Sequence, residues 1–124
     1  MNLNLYNFQG TTLGDVQDDG IVIRTAQDAL DLLANAGYQG ADKLIVHERH
    51  LSPDFFDLKT GLAGEMLQKF SNYRVQLAIV GDFARFTSPT LRDFIRESNR
   101  HGHIRFVRSV EEARAQLTNT PLAD

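Results

Sequence analysis

Short apolar runs alternate with amphipathic stretches along most of the chain, which is the pattern of alternating strands and helices. Five runs are rich in β-branched and apolar residues and predict strands: LNLYNF (3–8), GIVIR (20–24), KLIVHE (43–48), RVQLAIVG (74–81) and HIRFVRS (103–109). QGTT at residues 9–12 supplies a turn. Residues 1–19 are therefore expected to form an N-terminal strand or hairpin.

Between these runs, apolar positions recur with helical spacing, and most of the stretches open on a residue that caps helices. Thr25, Ser88 and Ser109 are the predicted caps, and Gly37 is expected to end the first helix. Four helices are expected, over residues 25–36, 58–71, 88–100 and 110–118. The tail, residues 119–124, is expected to fray.

The alternation from residue 20 onwards also predicts how the elements are connected. Each crossover has room for one helix only, which favours right-handed connections between parallel strands. We therefore expect a single α/β domain with a mainly parallel central sheet, in which strands 43–48, 75–80 and 103–108 are neighbours. Ligands of such sheets bind at the carboxyl ends of the strands, which here fall at His47-Glu48, Gly81-Asp82 and Val107-Arg108.

Composition narrows the class of protein. The 124 residues, 42% of them hydrophobic, suffice for one core and one domain. The chain has no cysteine, which excludes disulfides and thiolate metal sites and favours a reducing cytoplasm. No run approaches the roughly 18 apolar residues of a membrane span, and the amino terminus lacks the features of a signal peptide. We expect a cytoplasmic protein without membrane contact.

The segment LSPDFFDLKTGLAGEML, residues 51–67, begins like a capped helix but carries two glycines inside the expected helix. On a helical wheel Gly61 and Gly64 lie opposite the apolar stripe, so they are expected to face outwards. Each glycine costs about 1 kcal/mol relative to alanine in a helix interior. Replacing both by alanine is therefore expected to raise stability. The bare backbone either admits a partner closely or, at Gly61, relieves a kink. The face assigned to a partner comprises Ser52, Asp57, Thr60, Gly61, Gly64 and Gln68.

The run LIVHERHLSPDFFDLKTGLAGEMLQKFSNYRVQLAIVGDF, followed by LRDFIRESN, resembles a bacterial family known as domain of unknown function 4180. This resemblance covers residues 20–117 and implies no activity. The order of the elements also resembles the STAS domain of anti-sigma factor antagonists. In that family a partner kinase phosphorylates a serine of an Asp-Ser-Ser-Gly-Leu type motif that opens the second helix. Asp57-Leu58-Lys59-Thr60-Gly61-Leu62 stands in the corresponding place, with one additional residue, so the resemblance implies Thr60 as a phosphorylation site.

Three side chains keep an enzymatic alternative open. Glu48 and Asp82 follow neighbouring predicted strands, and Lys59 is expected to reach one of these two carboxylates. Carboxylates at strand ends could support hydrolysis, but no nucleophile elbow, glycine-rich phosphate loop or triad order accompanies them. A small hydrolase-type enzyme is therefore the alternative to a module without catalysis.

Histidines and arginines suggest two further kinds of site. His47, Glu48 and His50 cluster, but HERH lacks the i, i+4 spacing of a helical metal site, so neither a metal nor another cofactor is expected. A stripe of arginines spaced four apart could bind phosphates of nucleic acid. Carboxylates interleave with it and the net charge is −3, which favours ion pairs on a solvated face. The stripe consists of Arg92, Arg96 and Arg100.

These observations together favour a non-enzymatic, cytoplasmic regulatory module that binds a protein partner through the loop and helix of residues 52–68. The resemblance implies phosphorylation of Thr60 as a means of control, and the alternative is that Thr60 is an ordinary exposed helical threonine. The sequence leaves open whether the protein forms a homodimer. An acidic protein partner could use the arginine stripe, whereas neither nucleic acid nor a membrane is the expected partner. The partner and any ligand are not identified by the sequence.

Overall fold

The fold is described over residues 1–118 of a computed structural model, and these residues form five strands and four α-helices. In chain order they are β1 (Leu3–Phe8), β2 (Thr11–Val16), α1 (Ala26–Tyr38), β3 (Lys43–His47), α2 (Leu62–Tyr73), β4 (Gln76–Val80), α3 (Pro89–His101), β5 (Ile104–Val107) and α4 (Val110–Leu117). The expected fraying concerns residues 119–124, which lie outside the described part. No helix within residues 1–118 combines the length and the apolar character needed to cross a bilayer.

The five strands form one sheet in the order β1-β2-β3-β4-β5. β1 and β2 form an antiparallel hairpin, and every later strand is parallel to the one before it. The prediction that the three central runs are parallel neighbours is confirmed: Ile45 pairs with Ala78, and Ala78 pairs with Arg105. The predicted α/β domain with a mainly parallel sheet is likewise confirmed.

The two faces of the sheet are covered unequally. Helices α1, α2 and α3 pack on one face, where the larger core contains Leu32, Met66 and Phe70 together with Leu44 and Leu77 of the strands. Helix α4 packs on the other face, where a smaller core contains its apolar side chains and those of the strands: Leu13, Ile45, Ala78, Val80, Val107, Ala113 and Leu117. Alternate residues of the central strands are thus buried on both faces, as the continuous apolar runs predict.

The assignment of residues 20–24 to a strand of the sheet is wrong. The second strand comes from residues 11–16, and it pairs with β1 across the two-residue loop Gln9-Gly10, whose φ angles of 53° and 84° suit a tight hairpin. Ile23 makes only an isolated bridge to Leu51 and is fully buried. The apolar run GIVIR therefore indicates burial beside the sheet rather than membership in it.

Side-chain caps place three helix starts as predicted. Asp28 N–H donates to the hydroxyl of Thr25, which opens α1, and the Asp28 carboxylate accepts the main-chain N–H of Thr25 in return. The hydroxyl groups of Ser88 and Ser109 accept main-chain N–H groups in the same way at the starts of α3 and α4. Such local hydrogen bonds satisfy N–H groups that the first helical turn leaves without a partner.

His50 fastens the end of β3 to the loop that follows β2. The side chain is fully buried, its Nδ1 accepts the main-chain N–H of His47 at 2.9 Å, and its Nε2 lies 2.6 Å from the carbonyl oxygen of Asp18. Because Nδ1 accepts an N–H, the single ring proton sits on Nε2 and donates to that carbonyl. Burial, followed by the charge of Arg49, lowers the pKa of His50 despite the opposing effect of the Asp18 carbonyl.

We expect acid to weaken the fold through His50. Its pKa is lowered in the folded protein relative to about 6.5 in an unfolded chain, so its contribution to stability is complete above about pH 6.5 and is lost progressively as the pH falls below that value. The measurement is urea unfolding of the parent and of His50→Gln at about pH 7 and about pH 5. Burial also lowers the pKa of His47, which both proteins retain. An equal loss of free energy of unfolding in the two proteins would show that His50 is not the acid-sensitive group.

Candidate functional site

Three short 3₁₀ turns connect β3 to α2 at the carboxyl edge of the sheet: Glu48–His50, Pro53–Phe56 and Leu58–Thr60. The second is capped by the Ser52 hydroxyl, which accepts the Asp54 N–H at 3.2 Å, and the third by the Asp57 carboxylate, which accepts the Lys59 N–H at 3.2 Å. These caps divide the segment into separate turns where the helical wheel predicts one continuous helix.

Gly61 and Gly64 occupy different kinds of backbone, so the prediction that both lie inside one helix is wrong. Gly61 has a φ of 80°, ends the third turn and precedes α2, which begins at Leu62 rather than near residue 58. Gly64 is helical, and a methyl group there would meet no atom within 4 Å. Gly61 is therefore explained by its left-handed conformation, whereas Gly64 is an exposed helical glycine without a packing role.

Single alanine substitutions should separate the two glycines. Gly61→Ala should lower the free energy of unfolding by about 1–2 kcal/mol, because a side chain is strained at positive φ. Gly64→Ala should raise it by up to about 1 kcal/mol, because alanine favours the helix and nothing obstructs its methyl group. Urea unfolding of both variants tests this pair of opposite signs, and a gain in stability in Gly61→Ala would contradict the left-handed assignment.

A cleft of about 440 Å³ lies beside these turns, between residues 48–56 and 81–86. Phe56 and Phe86 stack with ring centroids 4.9 Å apart and planes 13° apart, and the guanidinium of Arg85 lies 4.3 Å from the centroid of Phe86. The cleft is lined by Glu48, Arg49, Leu51, Pro53, Phe56, Arg85 and Phe86. One wall therefore consists of a cation stacked on an aromatic pair.

Glu48 is held in this cleft by Arg85. Nη1 of Arg85 donates to Oε1 of Glu48 at 3.0 Å, and its Nη2 pairs with Oε2, so the two groups form a bidentate ion pair. Arg85 also donates to the main-chain carbonyl of Asp82. A Cβ at Gly81 would lie only 2.6 Å from Oε1 of Glu48, so glycine is needed for the carboxylate to approach this strand end.

The three catalytic candidates, Glu48, Lys59 and Asp82, have different surroundings. Glu48 pairs with Arg85, and the carboxylate of Asp82 accepts the N–H of Ala84 at 3.3 Å and so caps its own turn. Lys59 lines a separate groove of about 350 Å³ together with Phe56 and residues at the start of α3. The expected contact of Lys59 with Glu48 or Asp82 is wrong, since Arg85 occupies that place.

The histidine and arginine clusters are arranged as follows. Within residues 1–118 no three histidine or carboxylate side chains lie close enough together to hold a metal ion. On α3, Arg96 pairs with Asp93 at 3.1 Å and Arg100 pairs with Glu97 at 2.7 Å. The hydrogen bond from Arg100 lowers the pKa of Glu97. The arginine stripe thus carries ion pairs to its own helix, spaced i, i+3 rather than the expected i, i+4.

The six residues assigned to a partner face divide into two groups. Ser52, Asp57, Thr60 and Gly61 belong to the turns beside the cleft. Gly64 and Gln68 line a groove of about 380 Å³ between α2 and the end of α3, together with Leu67, Ser71, His101 and His103. The outward position of these residues does not by itself make them one surface.

A family model described as Domain of unknown function (DUF4180) matches residues 8–117. The chain belongs to this family. No protein of curated function and no solved structure matched the chain. The match begins twelve residues earlier than the resemblance read from the sequence and includes β2, so the hairpin strand belongs to the DUF4180 domain.

Sequence reasoning missed Arg49, Phe56, Arg85 and Phe86 as residues of the cleft in this DUF4180 domain. The available signal was the run Phe83-Ala84-Arg85-Phe86, in which aromatic residues and a cation alternate directly after a central strand. Aromatic and arginine side chains are enriched at binding surfaces, so this run is a signal for a cleft that carboxylates and glycines alone do not give.

A second missed cluster joins α4 to the hairpin on the opposite face of the DUF4180 domain. The hydroxyl of Tyr6 donates to Asp15 at 3.0 Å, and Nε of Arg114 donates to that hydroxyl at 3.0 Å. Burial raises the pKa of the Asp15 carboxyl and of the Tyr6 hydroxyl. The Tyr6 hydroxyl links the Asp15 carboxylate to Arg114, so the cluster joins the hairpin to α4.

The hydroxyl of Thr60 links two of the turns, which gives a testable structural role. It lies 2.6 Å from the carbonyl oxygen of Asp54 and 2.9 Å from that of Asp57. Thr60→Val should lower the free energy of unfolding by about 1 kcal/mol because it removes this hydroxyl, whereas Thr60→Ser should retain most of the stability. Equal unfolding curves for the valine and serine variants would show that the hydroxyl does not hold the turns.

Proposed function

We propose that this DUF4180 domain is a non-enzymatic regulatory module of the bacterial cytoplasm that binds a protein partner in the cleft between residues 48–56 and 81–86. The observation that carries the proposal is the wall formed by Arg85, Phe86 and Phe56, with the exposed Arg49 beside it. Stacked aromatic and arginine side chains are the groups that dominate the energetics of protein interfaces.

The chemistry of the cleft indicates what the partner presents. Leu51, Pro53 and the two phenylalanines offer apolar surface, so an apolar or aromatic side chain fits between them. Glu48 is neutralised by Arg85, whereas Arg49 has no carboxylate partner among residues 1–118. The cleft therefore favours a segment that carries a carboxylate next to an apolar side chain.

The shape of this edge favours an extended segment of a protein. Phe56 lines both the cleft and the neighbouring groove of about 350 Å³, so the two depressions adjoin. The groove offers polar groups to a main chain, among them Ser88 and Thr90, and a second exposed cation in Lys59. A chain crossing Phe56 would use both depressions, which a compact metabolite does not require.

The regulatory part of the proposal rests on the resemblance to STAS domains. Thr60 donates to the carbonyl of Asp54, which belongs to the Pro53–Phe56 turn that carries Phe56. A phosphate on Thr60 would remove the donated hydrogen and place negative charge beside the carbonyls of Asp54 and Asp57. We infer that phosphorylation would shift the turn and with it one wall of the cleft.

The enzymatic and nucleic-acid alternatives have less support. A carboxylate that acts as a general base needs a lone pair directed at its substrate, and both oxygens of Glu48 contact Arg85. Two arginines of the α3 stripe already pair with carboxylates of the same helix. Glu48 is thus held as the partner of a cation, and two of the three arginines are neutralised on their own helix, so both arrangements suit catalysis or phosphate binding less well than unpaired groups would.

Selection of displayed random peptides on the purified protein tests the proposal. We expect enrichment of peptides in which Asp or Glu adjoins Phe or Leu. Phe86→Ala and Arg49→Glu should each weaken binding of a selected peptide by about tenfold or more. The first removes the aromatic surface that contacts the apolar side chain of the peptide, and the second removes the cation that pairs with its carboxylate. Arg92→Ala, which removes an exposed arginine outside the cleft, should leave the dissociation constant unchanged.

The proposal is overturned if the selected peptides lack this pattern or bind Phe86→Ala and Arg49→Glu as tightly as the parent. Because Phe86 is partly buried, the exposed Arg49→Glu variant decides the outcome if Phe86→Ala unfolds. Sedimentation of the protein alone tests whether the cleft binds a second copy of this chain instead of a different protein. A dimer that dissociates in the Arg49→Glu variant would show that it does.

A further inference from the structure

A second pocket, of about 490 Å³, lies at the opposite edge of the sheet, where β4 and β5 begin. Its lining includes two arginines and two histidines but no aspartate or glutamate: Arg74, Gln76, His101, Gly102, His103 and Arg105. Nε2 of His101 lies 3.7 Å from the carboxylate of Glu97, and Nη1 of Arg105 donates to the neutral Gln116. The charge of the pocket is therefore complementary to an anion.

Buried polar atoms without a partner also concentrate in this pocket. Within residues 1–118, Oε1 of Gln76 and Nε of Arg105 are the buried side-chain polar atoms that have no hydrogen-bond partner in the protein. Both residues line the pocket. Buried polar groups in folded proteins are normally satisfied, so two such groups in the lining of one pocket are unusual. They mark this pocket as a place where the polar groups of the chain are not fully paired with one another.

The backbone gives independent support at Arg74. This residue follows α2 with a φ of 57° and a ψ of 39°, a left-handed conformation in which glycine is the usual residue. Gly102, which follows α3, has a φ of 87°, and a Cβ there would lie 2.7 Å from Nη2 of Arg105. Glycine thus stands where Arg105 needs room, whereas position 74 carries an arginine although glycine would be less strained there.

Cations at helix carboxyl termini are also favoured by the helix dipole, and Arg74 and His101 both lie there. That preference accounts for a positive charge at these positions. It does not account for an arginine at positive φ, because a cation at any other position of the last turn would interact with the helix dipole equally well. It also does not account for Nε of Arg105, which belongs to a strand.

We propose that this pocket binds the phosphate group of a small phosphorylated compound, with the guanidinium groups of Arg74 and Arg105 as the main donors. Two arginines suit a doubly charged phosphate, because each planar fork can donate two parallel hydrogen bonds. The pocket shares Ser71, His101 and His103 with the groove along α2 that Gly64 and Leu67 line. The organic part of the compound lies in that groove, and the two volumes fall in the range of small-molecule sites.

NMR titration of the histidine ring signals tests the proposal at constant ionic strength, with inorganic phosphate and phenyl phosphate as probes and chloride as the reference. We expect saturable shifts of His101 and His103 with both probes and tighter binding of phenyl phosphate. Arg74→Gly should weaken phosphate binding by about tenfold or more while the urea unfolding midpoint stays the same or rises, since glycine suits the left-handed position.

Matched variants separate the phosphate site from the groove. Arg92→Gln removes the same charge on the surface of α3 and should leave both affinities unchanged. Gly64→Leu should abolish the advantage of phenyl phosphate over phosphate, because its side chain would fill the groove. If Arg74→Gly loses stability, Arg105→Gln provides the binding comparison in its place.

The proposal is overturned if neither probe shifts the histidine signals beyond the effect of chloride, or if Arg74→Gly and Arg105→Gln bind phosphate as the parent does. Equal affinity of the parent for phosphate and phenyl phosphate would overturn the role of the groove. These outcomes are independent of peptide binding in the cleft, which lies at the other edge of the sheet.

Discussion

The structure depends on one constraint, which is that β2, β3, β4 and β5 are parallel and lie side by side in chain order. Each connection must return the chain from the carboxyl edge of the sheet to its amino edge. Helices α1, α2 and α3 make these returns on the same face, so their first turns gather at one edge and their last turns at the other. The two sites proposed above lie at these two edges.

The long connection from β3 to α2 is ordered by residues that point inwards. His50 is hydrogen-bonded on both ring nitrogens, and Phe55 is fully buried with its ring 6.1 Å from that of Phe106. A buried aromatic ring contributes about 3–5 kcal/mol relative to alanine, which suffices to fix a short turn. Because Phe55 is directed into the core, its neighbour Phe56 is left at the surface, where it stacks on Phe86.

The sequence predicted those elements whose signals are local. The apolar runs of β3, β4 and β5 and the hydroxyl caps of α1, α3 and α4 depend on neighbours in the chain, and all were predicted. A hairpin within residues 1–19 was left open, but no strand was assigned to Thr11–Val16 because it contains polar residues and a glycine. That glycine is explained only by the fold, since a Cβ at Gly14 would lie 2.9 Å from Cδ2 of Leu44 on the adjacent strand.

The sequence predicted where Glu48 and Asp82 lie but not which groups they contact. Glu48 and Asp82 lie at the carboxyl edge, as strand ends in a parallel sheet must. Arg85, the partner of the Glu48 carboxylate, comes from a loop 37 residues later, and no spacing rule predicts such a pairing. The start of α2 was also misjudged, because a helical wheel assumes continuous helix and cannot show that Gly61 is left-handed.

The pair between Glu48 and Arg85 decides what the carboxyl edge can do. Half of the Arg85 side chain is exposed, so water screens the pair and its contribution to stability is about 1 kcal/mol or less. Its effect is positional: the same guanidinium that holds Glu48 lies over the ring of Phe86. Gly81 lets the carboxylate approach, the carboxylate orients Arg85, and Arg85 covers the aromatic wall. The carboxylate of Glu48 is thereby engaged in the ion pair that orients the cation over the aromatic wall.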